Sequence, residues 1–200
     1  MRNPYGALSW AGIPQADPRP ENDMDDPRFP IGKFQRPETS TAEQRAVLIE
    51  QIAHAPAALR AAVEGLTDTQ LDTPYRDGGW SVRQLVHHVA DSHMNAYVRF
   101  KLALTEDEPL IKTYEEAAWA TLPDSREPAD VSLALLDALH QRWVVVLRSM
   151  DDTAFGRTLR HPEMGPMPLH AMLALYAWHG RHHVAHVTAL RERMGWGAAD

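Results

Sequence analysis

The sequence predicts an all-α protein: a four-helix bundle over residues 28–200, preceded by an extended N-terminal arm over residues 1–27. Four stretches of about 20 residues carry apolar side chains at three- and four-residue spacing, as amphipathic helices do. No stretch alternates apolar with polar side chains over a comparable length. A chain of 200 residues is also long enough to bury one full core. The long loops leave room for short sheet additions.

The arm is predicted from its composition. Residues 1–27 contain five prolines and the acidic run from Glu21 to Asp26, so the segment offers no continuous apolar face. An alternative stays open, in which Trp10 and Ile13 anchor the arm on a partner subunit.

Capping signals place the starts of the first two helices. Thr41 opens the stretch Thr-Ala-Glu-Gln, which matches a capping box, and apolar residues recur at helical spacing after it. Pro56 lies inside this first helix, where we expect a bend. A loop follows over residues 71–79. Ser81 then caps the second helix, which we expect over Val82–Leu104.

The second half of the chain again alternates loops with helices. Residues 106–130 contain three prolines around a short helical piece, Tyr114–Trp119, and we expect them to form a long crossover. The remaining predicted elements are a third helix, Val131–Met150, a loop over residues 157–168, and a fourth helix, Leu169–Met194, which ends at Gly195.

Composition argues against several classes of site and partner. The chain has no cysteine, so any thiol chemistry would need a thiol from outside the protein. A net charge of -7 without a lysine or arginine cluster argues against nucleic acid and against an anionic membrane surface. No stretch approaches the roughly 20 apolar residues of a membrane span, and the N-terminus lacks a signal pattern. We therefore expect a cytoplasmic protein.

Histidines are the unusual feature of this composition, with 11 in the chain. The fourth helix carries two pairs at four-residue spacing, His179 with His183 and His182 with His186. Such residues share a helix face, with Cβ atoms about 5 to 6 Å apart, which suits two imidazoles on one metal ion. The stripe through the first pair is apolar on both sides. The other stripe reaches Arg193, so we expect it nearer a helix boundary or the surface and predict His179 and His183 as ligands.

A third ligand is predicted on the second helix. His88 shares a face with Leu85, whereas His87 shares one with Arg83 and Asp91, so the more apolar surroundings favour His88. The other histidines keep more ordinary interpretations: His140 as a fourth ligand, a hydrogen-bond partner of a ligand or a core residue, His93 on another face toward the third helix or the crossover, and His54, His161 and His170 as isolated residues.

Three histidines predict a catalytic metal site. Neutral imidazoles bind zinc, nickel, cobalt or iron without cancelling the charge of the ion, and three of them leave a position open for water or a thiolate. A zincin-type protease is not expected, because the glutamate that should follow the first histidine is replaced by Gly180. Asp91, His140, Glu163 and His182 stay open as the general base, so no catalytic residue is assigned.

Several segments resemble a known family. The stretches Gly78–Gln84, His88–Asn95, Arg99–Leu102 and Trp178–His186 are similar to the YfiT-type branch of the DinB-like superfamily. The likeness runs over most of the chain, from about residue 29 to residue 196.

The resemblance implies a four-helix bundle in up-down-down-up order, usually a homodimer, that holds nickel or zinc through histidines falling here on His88, His179 and His183. Members are commonly labelled metal-dependent hydrolases, while relatives use low-molecular-weight thiols such as bacillithiol, mycothiol or glutathione. We therefore expect an enzyme that activates either water for hydrolysis or a small thiol for transfer to a small-molecule substrate. A second hypothesis is a non-catalytic metal or ligand sensor, which only the acidic arm favours.

Four cations are candidates for binding the carboxylates of such a thiol, namely Arg83, Arg99, Lys101 and Arg181. We favour the simpler interpretation, in which they are solvated charges on helix faces.

Overall fold

The computed structural model describes residues 26–197. The predicted arm, including Trp10 and Ile13, lies outside the described residues except for Asp26 and Pro27, so its role stays a prediction. Helices dominate the described part of the chain: α1 Ala42–Val63, α2 Asp68–Leu71, α3 Val82–Thr105, α4 Glu116–Trp119, α5 Ala129–Arg148, α6 Asp152–Gly156 and α7 Leu169–Met194. A hairpin of β1 Thr158–His161 and β2 Gly165–Pro168 precedes α7.

The N-caps predicted at Thr41 and Ser81 both form, and each is a complete capping box. The Thr41 hydroxyl accepts from the backbone N–H of Gln44, whose side-chain oxygen accepts from the Thr41 N–H at 2.8 Å. Ser81 and Gln84 make the same reciprocal pair at the start of α3. Each box satisfies two backbone donors that a helix end otherwise leaves free, which fixes where α1 and α3 begin. The α3 box determines the position of His88 two turns later.

Other boundaries differ from the predictions. The third long helix begins at Ala129 and ends at Arg148, two residues earlier at each end, because Pro128 rather than Val131 marks its N-terminus. The short helix in the crossover begins at Glu116 rather than Tyr114. The predicted loop over residues 157–168 forms the antiparallel hairpin, whose four-residue strands are too short to show alternation in the sequence.

Side-chain contacts give the direction of each helix against its neighbours. At one end, His170 bonds the Glu38 carbonyl at 3.1 Å, and at the other Arg191 donates to the Ala62 carbonyl at 2.9 Å, so α1 and α7 run parallel.

Two ion pairs give the direction of α5 against α1. Arg60, near the end of α1, pairs with Asp137 at 2.6 Å, and Arg148, at the end of α5, pairs with Glu50 at 2.6 Å, so the two helices run antiparallel. His87 bonds Ser132 at 2.7 Å and His93 bonds His140 at 2.8 Å, in the order of parallel neighbours α3 and α5. The order is therefore up-down-down-up, and the expectation of a four-helix bundle is confirmed.

The core of the bundle has two apolar clusters, and the histidines occupy the gap between them. On α7 the first cluster ends at Trp178 and the second resumes at Val187. The residues between them include four buried histidines. None of the helices within residues 26–197 is long and apolar enough to cross a bilayer.

Candidate metal centre

Three histidine rings converge between α3 and α7. One ring nitrogen each of His88, His179 and His183 lies within 4.8 Å of the others. The side chains are 4%, 2% and 2% exposed, respectively. The Nε2 atoms of His179 and His183 are 3.2 Å apart, and the ring of His88 lies 5.4 and 5.1 Å from those two rings. The structure thus brings together the three residues that the sequence singles out as ligands.

Burial keeps these rings neutral. It lowers the pKa of His88 to about 3, because a buried imidazolium loses its hydration. Burial lowers the pKa of His179 and His183 well below the usual value, and the neighbouring histidines lower it further. A neutral imidazole keeps a lone pair on one nitrogen, which is the form that binds a metal ion.

The donor set fits a metal ion. His88 Nε2 is buried and has no hydrogen-bond partner among residues 26–197, although buried polar atoms usually have one. His179 Nε2 and His183 Nε2 face each other as well. A single divalent cation would satisfy all three nitrogens at once, since imidazole nitrogens from two helices are ordinary ligands of zinc and similar ions.

The second pair on α7 is also buried, so the expectation that it lies nearer the surface is wrong. His182 and His186 are 1% and 3% exposed. Trp178 stacks on His182 with ring centroids 4.3 Å apart, and Tyr75 packs on His186 at the same distance. Phe29, ahead of α1, adds a further ring 6.2 Å from His182. Tyr75 and Phe29 lie outside the four long helices, so this part of the cover cannot be inferred from a stripe along α7.

The two ring nitrogens of His87 both make hydrogen bonds to other groups of the protein. One ring nitrogen meets the Ser132 hydroxyl at 2.7 Å and the other meets the Glu127 carbonyl at 2.9 Å. Both nitrogens are therefore occupied, and the side chain joins α3 to α5 and to the end of the crossover.

His93 and His140 lie behind the three converging rings. His93 faces α5, as expected, and its Nδ1 lies 2.8 Å from His140 Nε2. Its Nε2 lies 3.1 Å from His179 Nδ1. His140 is not one of the three converging rings and does not bond a predicted ligand directly. Two hydrogen bonds, through His93, separate it from His179, and its Nδ1 lies 2.7 Å from the Ile52 carbonyl. The remaining histidines lie elsewhere: His54 and His170 bond backbone carbonyls, and His161 lies in β1.

Comparison with known proteins decides the family. Residues 51–187 match the profile of the DinB superfamily, which is more than half of the chain. The chain belongs to the DinB superfamily. This confirms the resemblance drawn from the sequence motifs.

Relatives at higher identity carry a more specific name. The chain is 55% identical over 173 residues to a Bacillus mycoides protein named "Putative metal-dependent hydrolase". The aligned region covers 86% of this chain and all of the relative. A protein of the same name from Bacillus cereus strain B4264 is 54% identical over the same lengths.

A solved structure of Bacillus subtilis YfiT, described as a probable metal-dependent hydrolase with an unusual four-helix bundle topology, is 51% identical. It superposes with a TM-score of 0.83 over 84% of this chain and 98% of YfiT.

In this DinB-superfamily chain, the four candidate cations divide into two classes. Lys101 and Arg181 are exposed, as expected. The expectation of a solvated side chain is wrong for Arg83, which is buried and pairs with Asp68 at 2.8 Å and Asp72 at 2.7 Å. These ion pairs give Arg83 a structural role.

Of the four candidate cations, Arg99 is the other one that is buried, at 6% exposure, so it too differs from the expected solvated side chain. It donates to the Tyr176 hydroxyl at 3.3 Å and to the Lys112 carbonyl at 3.1 Å. The Tyr176 ring lies 5.8 Å from the His179 ring, so this cation reaches toward the histidines from the crossover side. Burial raises the pKa of Glu116 to about 8, an effect that Arg99 opposes. No pattern in the sequence signals this placement, because the crossover that covers Arg99 has no helical period.

The four candidates for the general base differ in their exposure and in the contacts that they make. Glu163 is exposed at the hairpin turn. His182 is stacked on Trp178, and both ring nitrogens of His140 are hydrogen-bonded. Asp91 is half-buried one turn beyond His88 on α3, and burial, aided by the charge of Asp124, raises its pKa to about 6.

Proposed function

We propose that this chain is a metal-dependent enzyme in which His88, His179 and His183 hold one divalent ion, zinc or nickel. The observation that carries the proposal is the convergence of three buried, neutral imidazoles from two helices. One of them, His88, has no partner for its Nε2 in the described part of the chain. Within residues 26–197 no fourth residue joins this group, which leaves a position for a substrate. The name shared by the relatives is consistent with metal-dependent catalysis.

A bound ion of this kind would supply a Lewis acid, since three neutral ligands leave its charge uncancelled and the pKa of a nearby water or thiol falls. The protein would supply the proton acceptor. We propose Asp91 for this role, because it lies half-buried one turn beyond His88 on α3, and its carboxyl group, with a pKa raised to about 6, is ionised at neutral pH.

As the nucleophile we propose a low-molecular-weight thiol such as bacillithiol. Its proton would pass to Asp91, and its thiolate would form a bond to an electrophilic carbon of the substrate as the bond from that carbon to the leaving group breaks. Two features support a thiol cosubstrate. The chain has no cysteine of its own. Arg99 is a buried cation directed toward Tyr176 and the histidines, and a guanidinium binds carboxylates of the kind such thiols carry. Water, which would make the protein a hydrolase, is the alternative nucleophile, and the name of the relatives favours it.

The experiment that separates these reactions is a spectral titration of the cobalt-loaded protein with bacillithiol, glutathione and cysteine, with acetate as the control. We expect a sulfur-to-cobalt charge-transfer band that saturates near one thiol per site. The Arg99→Gln variant should keep its cobalt spectrum but need more thiol to reach saturation. No band with any thiol, in protein that holds cobalt, would favour hydrolysis.

The chain would act as a homodimer, a further part of this proposal. Several apolar side chains on the long helices are exposed, including Val98 at 48% and Val145 at 70%. Light scattering of the protein with and without metal tests it, and a monomer under both conditions would contradict it. A metal-dependent change of oligomeric state without turnover of any substrate would instead favour the sensor hypothesis.

A further inference from the structure

One line of hydrogen bonds runs from the backbone of α1 to a predicted metal ligand on α7. It links the Ile52 carbonyl to His140 Nδ1 at 2.7 Å and His140 Nε2 to His93 Nδ1 at 2.8 Å. The last bond joins His93 Nε2 to His179 Nδ1 at 3.1 Å. Each of the four long helices contributes one residue to this line, which we call the histidine relay.

The carbonyl at its beginning is free because of a proline. In an α-helix the Ile52 carbonyl would accept from the N–H of the residue four positions later, and that residue is Pro56, which has no N–H. Ile52 is fully buried, so the carbonyl needs another donor. His140 is placed to supply it across the α1–α5 contact.

The direction of every bond in the relay follows from this carbonyl. A carbonyl only accepts, so the proton of His140 is on Nδ1 and its Nε2 carries a lone pair. That lone pair requires the His93 proton on Nδ1, which leaves His93 Nε2 as an acceptor. His179 then donates from Nδ1, and its own lone pair is on Nε2. This reasoning requires neutral rings, and all three are buried.

His179 Nε2 is the atom that faces His183, in the group with His88. We propose that the Ile52 carbonyl, through His140 and His93, fixes the tautomer and orientation of His179 so that Nε2 is presented to the metal ion. His140 and His93 are therefore positioning residues, and Pro56 is what makes the carbonyl available. The role in metal binding rests on the proposed function, whereas the order of the protons does not.

The opposite order is unfavourable at its first step. If His140 carried its proton on Nε2, the Nδ1 lone pair would face the Ile52 carbonyl oxygen at 2.7 Å, and two buried acceptors would repel each other. The reversed relay would also place the His179 proton on Nε2, where it blocks the ligand atom. The free carbonyl of α1 thus disfavours the tautomer in which His179 Nε2 cannot bind a metal ion.

The first test is nitrogen-15 NMR of the imidazoles in the metal-free wild-type protein. We expect the Nδ1–H tautomer for His140, His93 and His179, although free neutral histidine favours the other tautomer. An Nε2–H form of His93 or His179 would overturn the proposal. This result is obtained even if the protein binds no zinc, so failure of the relay and failure of the proposed function are distinguishable.

The second test measures zinc affinity by competition with a chromophoric chelator. His140→Leu removes both hydrogen bonds of that ring and should weaken zinc binding up to about 10-fold, the lower end of the range for losing a direct partner of a ligating histidine, because His140 acts on His179 only through His93. His140→Gln can still donate to Ile52 and accept from His93, so it should recover most of the affinity.

His87→Leu is the matched control for this test. It also removes a buried histidine with two hydrogen bonds from the bundle, but one outside the relay, and should leave the affinity unchanged. Wild-type affinity in a folded His140→Leu protein, or equal losses in the leucine and glutamine variants, would contradict the proposal. If His140→Leu does not fold, the tautomers of the wild-type protein decide.

Discussion

At the scale of single residues, the histidines differ in what each ring nitrogen contacts. His87 has protein partners on both nitrogens, whereas His88 has none on Nε2. His182 and His186 are as buried as the predicted ligands, but they pack against aromatic rings instead of joining the cluster. Burial alone therefore does not identify a ligand.

The ligand assignment predicts which histidines the metal requires. Alanine at His88, His179 or His183 should abolish stoichiometric binding of zinc, because two remaining imidazoles hold the ion far more weakly. Alanine at His182 or His186 should spare most of the binding. Equilibrium dialysis with metal analysis measures this, with circular dichroism as the check on folding. The reverse pattern would show that the other pair on α7 holds the ion.

Asp91 predicts a pH dependence of stability. Its pKa is raised from 3.8 to about 6, so the folded protein holds this proton more tightly than the unfolded chain does. Between about pH 4 and pH 6 the unfolded state ionises first, and the free energy of unfolding falls as the pH rises. We expect a loss of about 1 to 2 kcal/mol after allowance for solvent screening.

Urea unfolding of the metal-free protein at a series of pH values tests this expectation. Asp91→Asn cannot ionise and should be more stable than the wild type above pH 6, with a smaller difference at pH 4. Asp107→Asn, at an exposed position just after α3, should follow the wild type. Parallel stability curves for the wild type and Asp91→Asn would contradict the prediction.

Residue patterns in the sequence predicted some of these assignments and missed others. The spacing of His179 and His183 and the apolar stripe around them selected the pair that the structure places with His88. The burial of His182 depends on Phe29 and Trp178, and that of Arg99 on the crossover, so neither follows from one helix. The relay had one local signal, a proline four residues after Ile52, but nothing local shows that His140 lies opposite.

At the scale of elements, α1 and α7 approach closely at Gly180. A Cβ atom added there would lie 3.2 Å from Ala55 Cβ and 3.6 Å from His93 Cε1. The position where a zincin carries its glutamate therefore faces a helix rather than open space. A glutamate side chain at this position would press against α1.

This contact predicts a large effect of side-chain size. Gly180→Leu should lower the free energy of unfolding by about 2 kcal/mol or more, because α1 must move to admit the side chain. Gly156→Leu is a suitable control, since a Cβ atom there meets nothing within 4 Å. Urea unfolding of both variants measures the difference. Equal stabilities would show that the two helices are not in tight contact.

Elements with local start signals were predictable, whereas those set by contacts were not. Thr41 and Ser81 carry complete capping boxes, and the helices begin where these boxes predict. The crossover contacts the hairpin before α7, because the Ile111 N–H donates to the Arg160 carbonyl at 3.0 Å. A strand pairing between the crossover and the hairpin has no signature in either segment alone.

At the scale of the whole molecule, metal binding should stabilise the fold. An ion that binds only the folded state at about 100 times its dissociation constant adds about 2.7 kcal/mol. For a chain of this length that corresponds to a rise in melting temperature of roughly 5 to 10 °C. Thermal melts with zinc and with a chelator measure the rise, and His182→Ala should keep it. His88→Ala should show none, and an equal rise in that variant would indicate binding elsewhere.

The histidine relay also has a consequence for the order of folding. Its bonds need α1, α3, α5 and α7 at once, so no pair of helices can set the proton on His179 by itself. A partly docked intermediate would display loosely held imidazoles in either tautomer. Rapid, tight capture of zinc during refolding should therefore coincide with the last docking step, and the ion would report completed assembly of the bundle.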